Sequence, residues 1–184
     1  MNETLKTISE RYSCRDFADT PLTTEQVDAI VNAALAAPSG MNSQPWKIIM
    51  VTDKALIDDL DAAGVDMLLA SGDESTIERI KSRGGTMLYN APSMVMIVIK
   101  DTPYAKIDCG ILTQNVALAA HSLGLGSVIC AMAGMALAGP RAEEFKARFQ
   151  IPDGYEFGIS VLVGTANSGK EPHELEQDKV ILIK

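Results

Sequence analysis

Residues 93–100 read SMVMIVIK, and how this stretch is read decides the fold. From Met94 to Ile99 every residue is apolar, with no polar alternation, so a strand here has both of its faces covered. Such a strand needs helices on both sides of its sheet, and the flanking sequence supplies them. Upstream, Thr23-Thr-Glu-Gln26 is a capping-box pattern in which the hydroxyl accepts from the first turn and Gln26 reaches back. Val27, Ile30, Val31, Ala34 and Leu35 then keep helical spacing, and Pro38 falls just past the end. Downstream, Ile107 to Leu123 reads as a long helix with Ile107, Ile111, Leu118 and Ala119 among its apolar positions. Gly124 closes it as a left-handed cap.

Further strands are expected at Lys47–Thr52, Ser127–Cys130 and Tyr155–Thr165. Asp53 caps a short helix with an apolar face of Leu56, Ile57 and Leu60, and Pro140 to Phe149 forms an amphipathic helix carrying Phe145 and Phe149. Residues 64–86, bracketed by Gly64, Gly72 and Gly84-Gly85, read as a flap or small insertion. The last residues, 166–184, read as a C-terminal arm in which VILI at 180–183 is a strand or extended tail. Hairpin signals are few and there is no internal repeat. The expectation is a single α+β domain over 1–184, with a central sheet flanked by helices.

Lysine and arginine number 16 against 24 acids, a net charge of −8, which argues against nucleic acid or an anionic membrane as partner. Cys14, Cys109 and Cys130 lie far apart with no metal-ligand spacing, so neither a disulfide framework nor a metal site is expected, and a reducing cytoplasm suits them. The polar start MNETLKTISERYS has no signal-peptide core. From Cys109 to Pro140 there is no Asp, Glu, Lys or Arg, a length that allows a membrane span. Gln114, Asn115, His121 and the Gly124-Leu-Gly126 break favour a buried helix followed by a buried strand, with burial in a dimer explaining the missing charges.

Two stretches carry chemistry. RYSCR places Arg11, Ser13 and Arg15 at alternate positions, which share one face in an extended segment. Two guanidiniums and a hydroxyl there make a site for a dianion; the competing reading is a helix-end cluster paired with Glu10 or Asp16. PSGMNSQPW offers the amides of Asn42 and Gln44, the Ser39 hydroxyl and rigid turns at Pro38 and Pro45, groups suited to the donor and acceptor edge of a heterocycle. The competing reading is a capped helix followed by an Asn/Ser turn. Gly124-Leu-Gly126 lies between helix and strand, the reverse of the dinucleotide fingerprint, and reads as a helix stop. His121 reads as a satisfied buried histidine, since no serine, cysteine or acid is placed to form a triad with it.

Together, RYSCRDF at 11–17, APSGMNSQPW at 37–46, YNAP at 89–92, DCGILTQNVALAAHSLGLGS at 108–127 and VLVGTANSGKEPHE at 161–174 resemble the short-chain branch of the nitroreductase family of FMN-dependent oxidoreductases. The resemblance implies a central mixed sheet flanked by helices, in an intertwined homodimer with two FMN sites built from both subunits. It implies that Arg11, Ser13 and Arg15 hold the phosphate and ribityl end, with Arg15 reaching the N1/O2 edge of the flavin. Pro38, Ser39, Met41, Asn42 and Gln44 of the other subunit would line the isoalloxazine. The segment Ile129, Cys130, Ala131 and Met132 would bring a backbone N–H near N5, although SVICA stands where short members often read SCWIG. Lys170 completes the phosphate site, with His173 as the other tail candidate. The implied activity moves two electrons from NADH or NADPH through the flavin to a small acceptor such as a nitroaromatic or quinone. A 2′-phosphate on the donor would call for a further basic group, Lys81 or Arg83. The alternatives are a non-enzymatic FMN carrier or redox sensor, a specialised chemistry such as reductive dehalogenation, and an acidic dimerisation domain without cofactor.

Overall fold

The computed structural model describes residues 1–184. Strands β1 (Trp46–Val51), β2 (Ser93–Ile99), β3 (Gly126–Cys130) and β4 (Glu156–Gly164) form one sheet in the order β1-β2-β4-β3. All three pairings are antiparallel. The only parallel element is a single bridge between Ser13 and Ser127, so the sheet is mixed only at that margin.

Every residue of β2 is buried, as its unbroken apolar run requires. Its side chains alternate between two clusters. Met94, Met96 and Val98 pack with Ile57, Leu60 and Phe145, whereas Val95, Ile97 and Ile99 pack with Ile30, Ala34, Leu112 and Val116. Helices α2 (Thr24–Leu35) and α5 (Ala105–Ser122) therefore cover one face. Helices α3 (Lys54–Ser71), α6 (Ala133–Leu137) and α7 (Ala142–Arg148) cover the other, while α1 (Glu3–Glu10) and α4 (Glu74–Lys81) lie outside these layers. Each fully buried Ile, Leu or Met contributes about 1.5–3 kcal/mol.

Several local readings hold. Gln26 N–H donates to Thr23 Oγ1 at 3.2 Å and Thr23 N–H to Gln26 Oε1 at 2.9 Å, completing the capping box. Leu56 N–H donates to Asp53 Oδ1 at 3.1 Å, and Gly124 takes φ +74° at the end of α5. Trp46 is 6% exposed and seats β1 in the core.

Others are corrected. The helix after Asp53 runs through Gly64 to Ser71, because Gly64 is buried where the Met87 methyl leaves no room for a side chain. Residues 64–71 are thus part of a core helix, and α4 follows as a separate helix capped by Asp73. The helix expected over Pro140–Phe149 is α7, Ala142–Arg148, and a further short helix that the sequence did not signal, α6, precedes it at Ala133–Leu137. Helix α5 turns Ala105, Cys109, Leu112, Val116 and Ala120 to the sheet, mostly small residues that let it pack closely; Ile107 and Ile111 face outward, 62% and 38% exposed. Residues 180–183 form no strand and are exposed. His121 is half-buried.

A charged lattice ties α3 to α7. Asp59 pairs with both Arg141 and Arg148, and these two guanidiniums lie 4.7 and 5.6 Å from the Phe145 ring centre. No helix is long and apolar enough to cross a membrane.

Candidate functional site

The segment 11–17 runs beside β3, the edge of the sheet. Cys14 N–H donates to the Ser127 carbonyl at 2.9 Å, and Ala18 N–H to the Thr165 carbonyl at 2.8 Å. Cys14 and Phe17 turn into the core, which leaves Arg15 exposed on the other side. Burial pushes the Cys14 thiol up, away from the thiolate, as expected of a packing residue rather than a reactive one.

Asp16 and Tyr12 fasten the tail to this segment. Asp16 Oδ1 accepts from Asn167 Nδ2 at 2.9 Å, its carbonyl accepts from Asn167 N–H at 3.1 Å, and Tyr12 Oη donates to the Ser168 carbonyl at 3.0 Å. Lys170 thereby reaches the N-terminal segment. The result is an open pocket of about 430 Å³ whose lining includes Ser13, Arg15, Arg83, Ser168 and Lys170. None of the three cations is in an ion pair, although the chain is acidic overall. The pairing of Arg15 with Asp16, or of Arg11 with Glu10, is therefore not what the chain adopts. Arg11 sits at the C-terminal end of α1 and does not line this pocket. Asp16 also lines the cavity, its carboxylate bonded to Asn167 and Ser168, so three cations stand against one acid, a balance that suits an anion with multiple oxygens.

At the end of β3, Cys130 points into the core and Ala131 is exposed, its N–H without a backbone acceptor. The N–H groups of Met132 and Ala133 approach the Cys130 sulfur, and Ile129 faces outward. Desolvation raises the Cys130 thiol, and Arg15 lies near enough to oppose that in part. The Arg15 guanidinium also stands 6.0 Å from the Tyr89 ring centre.

Backbone strain marks the remaining pieces. Six non-glycine residues have positive φ, and five of them are Met41, Asn42, Gln44, Tyr89 and Asn90. Each such residue costs on the order of 1 kcal/mol or more, and strain of this kind gathers at binding sites. Met41 is 92% exposed, and Pro38, Asn42 and Gln44 are exposed beside it, with Ser39 half-buried. Within the loop, Gln44 N–H donates to Ser39 Oγ at 2.9 Å and Gln44 Nε2 to Asn42 Oδ1 at 2.8 Å. An acid stands behind each strained loop, Asp108 buried and Asp61 half-buried. Asp108 Oδ1 accepts from Gly40 N–H at 3.0 Å, and Asp61 Oδ1 accepts from both Met87 and Leu88 N–H at 2.9 Å. Neither acid is signalled by the sequence, since each lies far along the chain from the loop it holds.

The structure gathers Ser13, Arg15 and Lys170, and adds Arg83. It does not bring the 38–44 loop to them. That loop is tied to the first turn of α5, whereas Ser13 meets Ser127 just past the far end of the same helix. The separation along α5 is roughly 25 Å at the usual rise.

The sequence pattern of the nitroreductase family matches residues 8–165. The chain belongs to the nitroreductase family. A crystal structure of a nitroreductase with bound FMN from Desulfitobacterium hafniense is 48% identical, with a TM-score of 0.97 and full coverage of both chains. An FMN-dependent nitroreductase from Clostridium difficile is 25% identical, with a TM-score of 0.78 over 99% of each chain. A relative from Archaeoglobus fulgidus, whose name provisionally places it among the NADH dehydrogenase/NAD(P)H nitroreductases, is 34% identical over 80% of this chain and 74% of its own. The stretch that matches the nitroreductase family takes in Ser13, Arg15, the strained loops and the end of β3, and stops short of Lys170.

Proposed function

We propose that this chain is an FMN-dependent oxidoreductase that moves two electrons from NADH or NADPH to a small acceptor such as a nitroaromatic or a quinone, acting as a homodimer. The observation that carries the reading is the pocket in which Arg15, Arg83 and Lys170 stand unpaired beside Ser13. Its donors fit a phosphate dianion, and the exposed Ala131 N–H fits an acceptor edge of a heterocycle. Family membership and the FMN bound in the Desulfitobacterium relative point the same way.

Bound FMN supplies the two-electron step between nicotinamide and acceptor. The protein's own residues bind and orient. Lys170 and Arg83 would balance the phosphate charge and Ser13 would donate a hydrogen bond to it, with Arg11 on the same segment outside the pocket. Arg15 would set a permanent positive charge beside the ring's N1/O2 edge, which would favour added negative charge there. The Ala131 N–H, flanked by Ile129, Cys130 and Met132, would serve as the donor to the flavin ring. Pro38, Ser39, Met41, Asn42 and Gln44 come from a second copy and close the ring face against water.

The Ser13 pocket and the 38–44 loop stand at opposite ends of α5, which supports a second copy as the source of the loop. The outward Ile107 and Ile111 give α5 an apolar face to bury, and the exposed arm Val180–Ile183 and the unpaired edge of β1 offer further contact.

Anaerobic titration of the FMN-loaded protein with NADH and with NADPH, following the flavin absorption band, tests the reading. Bleaching by one equivalent of either nucleotide, and recovery on adding a quinone, is the expected result. A flavin band that neither nucleotide bleaches refutes the enzyme, and failure to take up FMN refutes the site.

A further inference from the structure

We propose that Asp108 is the positioning residue of the 38–44 loop: its bond to the Gly40 N–H holds Met41, Asn42 and Gln44 in the left-handed backbone that turns them outward. The proposal rests on the reading of that loop as one wall of the flavin site.

Asp108 is 2% exposed, in the first turn of α5. Oδ1 takes the Gly40 N–H at 3.0 Å, and Oδ2 is inaccessible and has no hydrogen-bond partner within the chain. Burying a carboxylate with one oxygen unpaired is costly, and an apolar residue would pack there without that cost. What the acid supplies is an acceptor for one loop amide. The other side-chain bonds of the loop, between Ser39, Asn42 and Gln44, are internal to it. Asp108 is thus the one side chain outside the loop that holds it by a hydrogen bond. A Cβ on Gly40 would stand 3.1 Å from the Tyr104 ring, so glycine spares the close approach that crowding. Three left-handed non-glycine residues within four positions, Met41, Asn42 and Gln44 about an ordinary Ser43, persist only where the surrounding structure holds them. Because α5 also carries the outward Ile107 and Ile111, the same acid couples loop geometry to the helix face that a second copy would cover.

A plainly structural role is the competing explanation, since an acid in the first turn also complements the helix dipole. FMN-loaded Asp108→Ala, Asp108→Glu and Asp108→Asn distinguish the two, read by the FMN dissociation constant and by the flavin midpoint potential at saturating FMN. Loss of a charge-assisted bond predicts that Asp108→Ala weakens FMN by about tenfold or more and shifts the potential. Asp108→Glu, with charge kept and acceptor displaced, is expected to do the same and serves if the alanine variant does not fold. Asp108→Asn keeps an acceptor and is expected to stay near the parent. A lower melting temperature with unchanged dissociation constant and potential in Asp108→Ala or Asp108→Glu overturns the proposal. The double variant Asn42→Ala/Gln44→Ala separates the levels. If it leaves both readouts unchanged, the loop is no wall of the site and the proposal falls with that reading. If it shifts them while the Asp108 variants do not, only the positioning role falls.

Discussion

Gly126→Ala drives a wedge into the junction on which the site depends. Gly126 opens β3, and a Cβ there would stand 2.7 Å from Cys14 Sγ, 2.8 Å from Cys14 Cβ and 3.0 Å from Ala166 Cβ. Two of these atoms are Cβ atoms that no rotamer change can move, so the backbone on one or both sides must give way. Gly126 does not need a positive φ, and the substitution therefore tests packing alone. Overpacking costs about 1–3 kcal/mol, against which alanine recovers about 0.4–1 kcal/mol by restricting the unfolded chain. A net loss of about 1.5 kcal/mol lowers the melting temperature by about 3–6 °C in a domain of this size. The displaced neighbours belong to the segments carrying Ser13 and Arg15 on one side and Lys170 on the other. FMN affinity should fall by about tenfold, equivalent to about 1.4 kcal/mol, on top of the stability loss. Thermal unfolding of the flavin-free protein measures the first effect, and fluorescence titration with FMN well below the transition measures the second. Unchanged stability refutes the packing at the junction. Lower stability with unchanged FMN affinity refutes the assignment of these segments to the cofactor.

The Arg141 and Arg148 hydrogen bonds hold Asp59 well below the usual carboxylate range. A depressed carboxylate stabilises the fold above its unfolded value of about 3.9 and loses that contribution as pH falls below it, so Asp59→Asn should flatten the drop in melting temperature below about pH 4. Asp61 behaves in the opposite sense, because desolvation outweighs the Met87 and Leu88 N–H bonds and raises it. The folded state then binds the proton more tightly, and stability rises as pH falls through the raised value. Asp61→Asn should accordingly raise the melting temperature at pH 7, with the difference shrinking toward pH 4; a constant or opposite difference would count against the desolvated acid. Ile111→Glu places a charge on the outward face of α5, and sedimentation should show the proposed dimer dissociating with loss of FMN; a dimer that persists with FMN bound would move the interface elsewhere.

What the sequence determined by itself is what a few consecutive residues decide. The apolar run Met94–Ile99 dictated a strand buried on both faces, because period-two side chains then meet core above and below. Thr23 with Gln26, Asp53 and Gly124 marked helix ends, because capping bonds close over three or four residues. The chemistry of Ser13, Arg15 and the 38–44 loop was legible as residue type and spacing. Only tertiary structure decided which way α5 faces, since Ile107 and Ile111 look like core by hydrophobicity while the smaller residues fit the sheet. It also carried the helix through Gly64, a residue that costs a helix locally but relieves a clash with Met87. The gathering of Arg83 and Lys170 around Arg15, and the use of Asp61 and Asp108 to hold strained loops, join residues far apart in the chain. Such contacts depend on how layers pack, and no local period or propensity encodes them. The same holds for the Ser13 pocket and the 38–44 loop, which a single chain keeps at opposite ends of one helix.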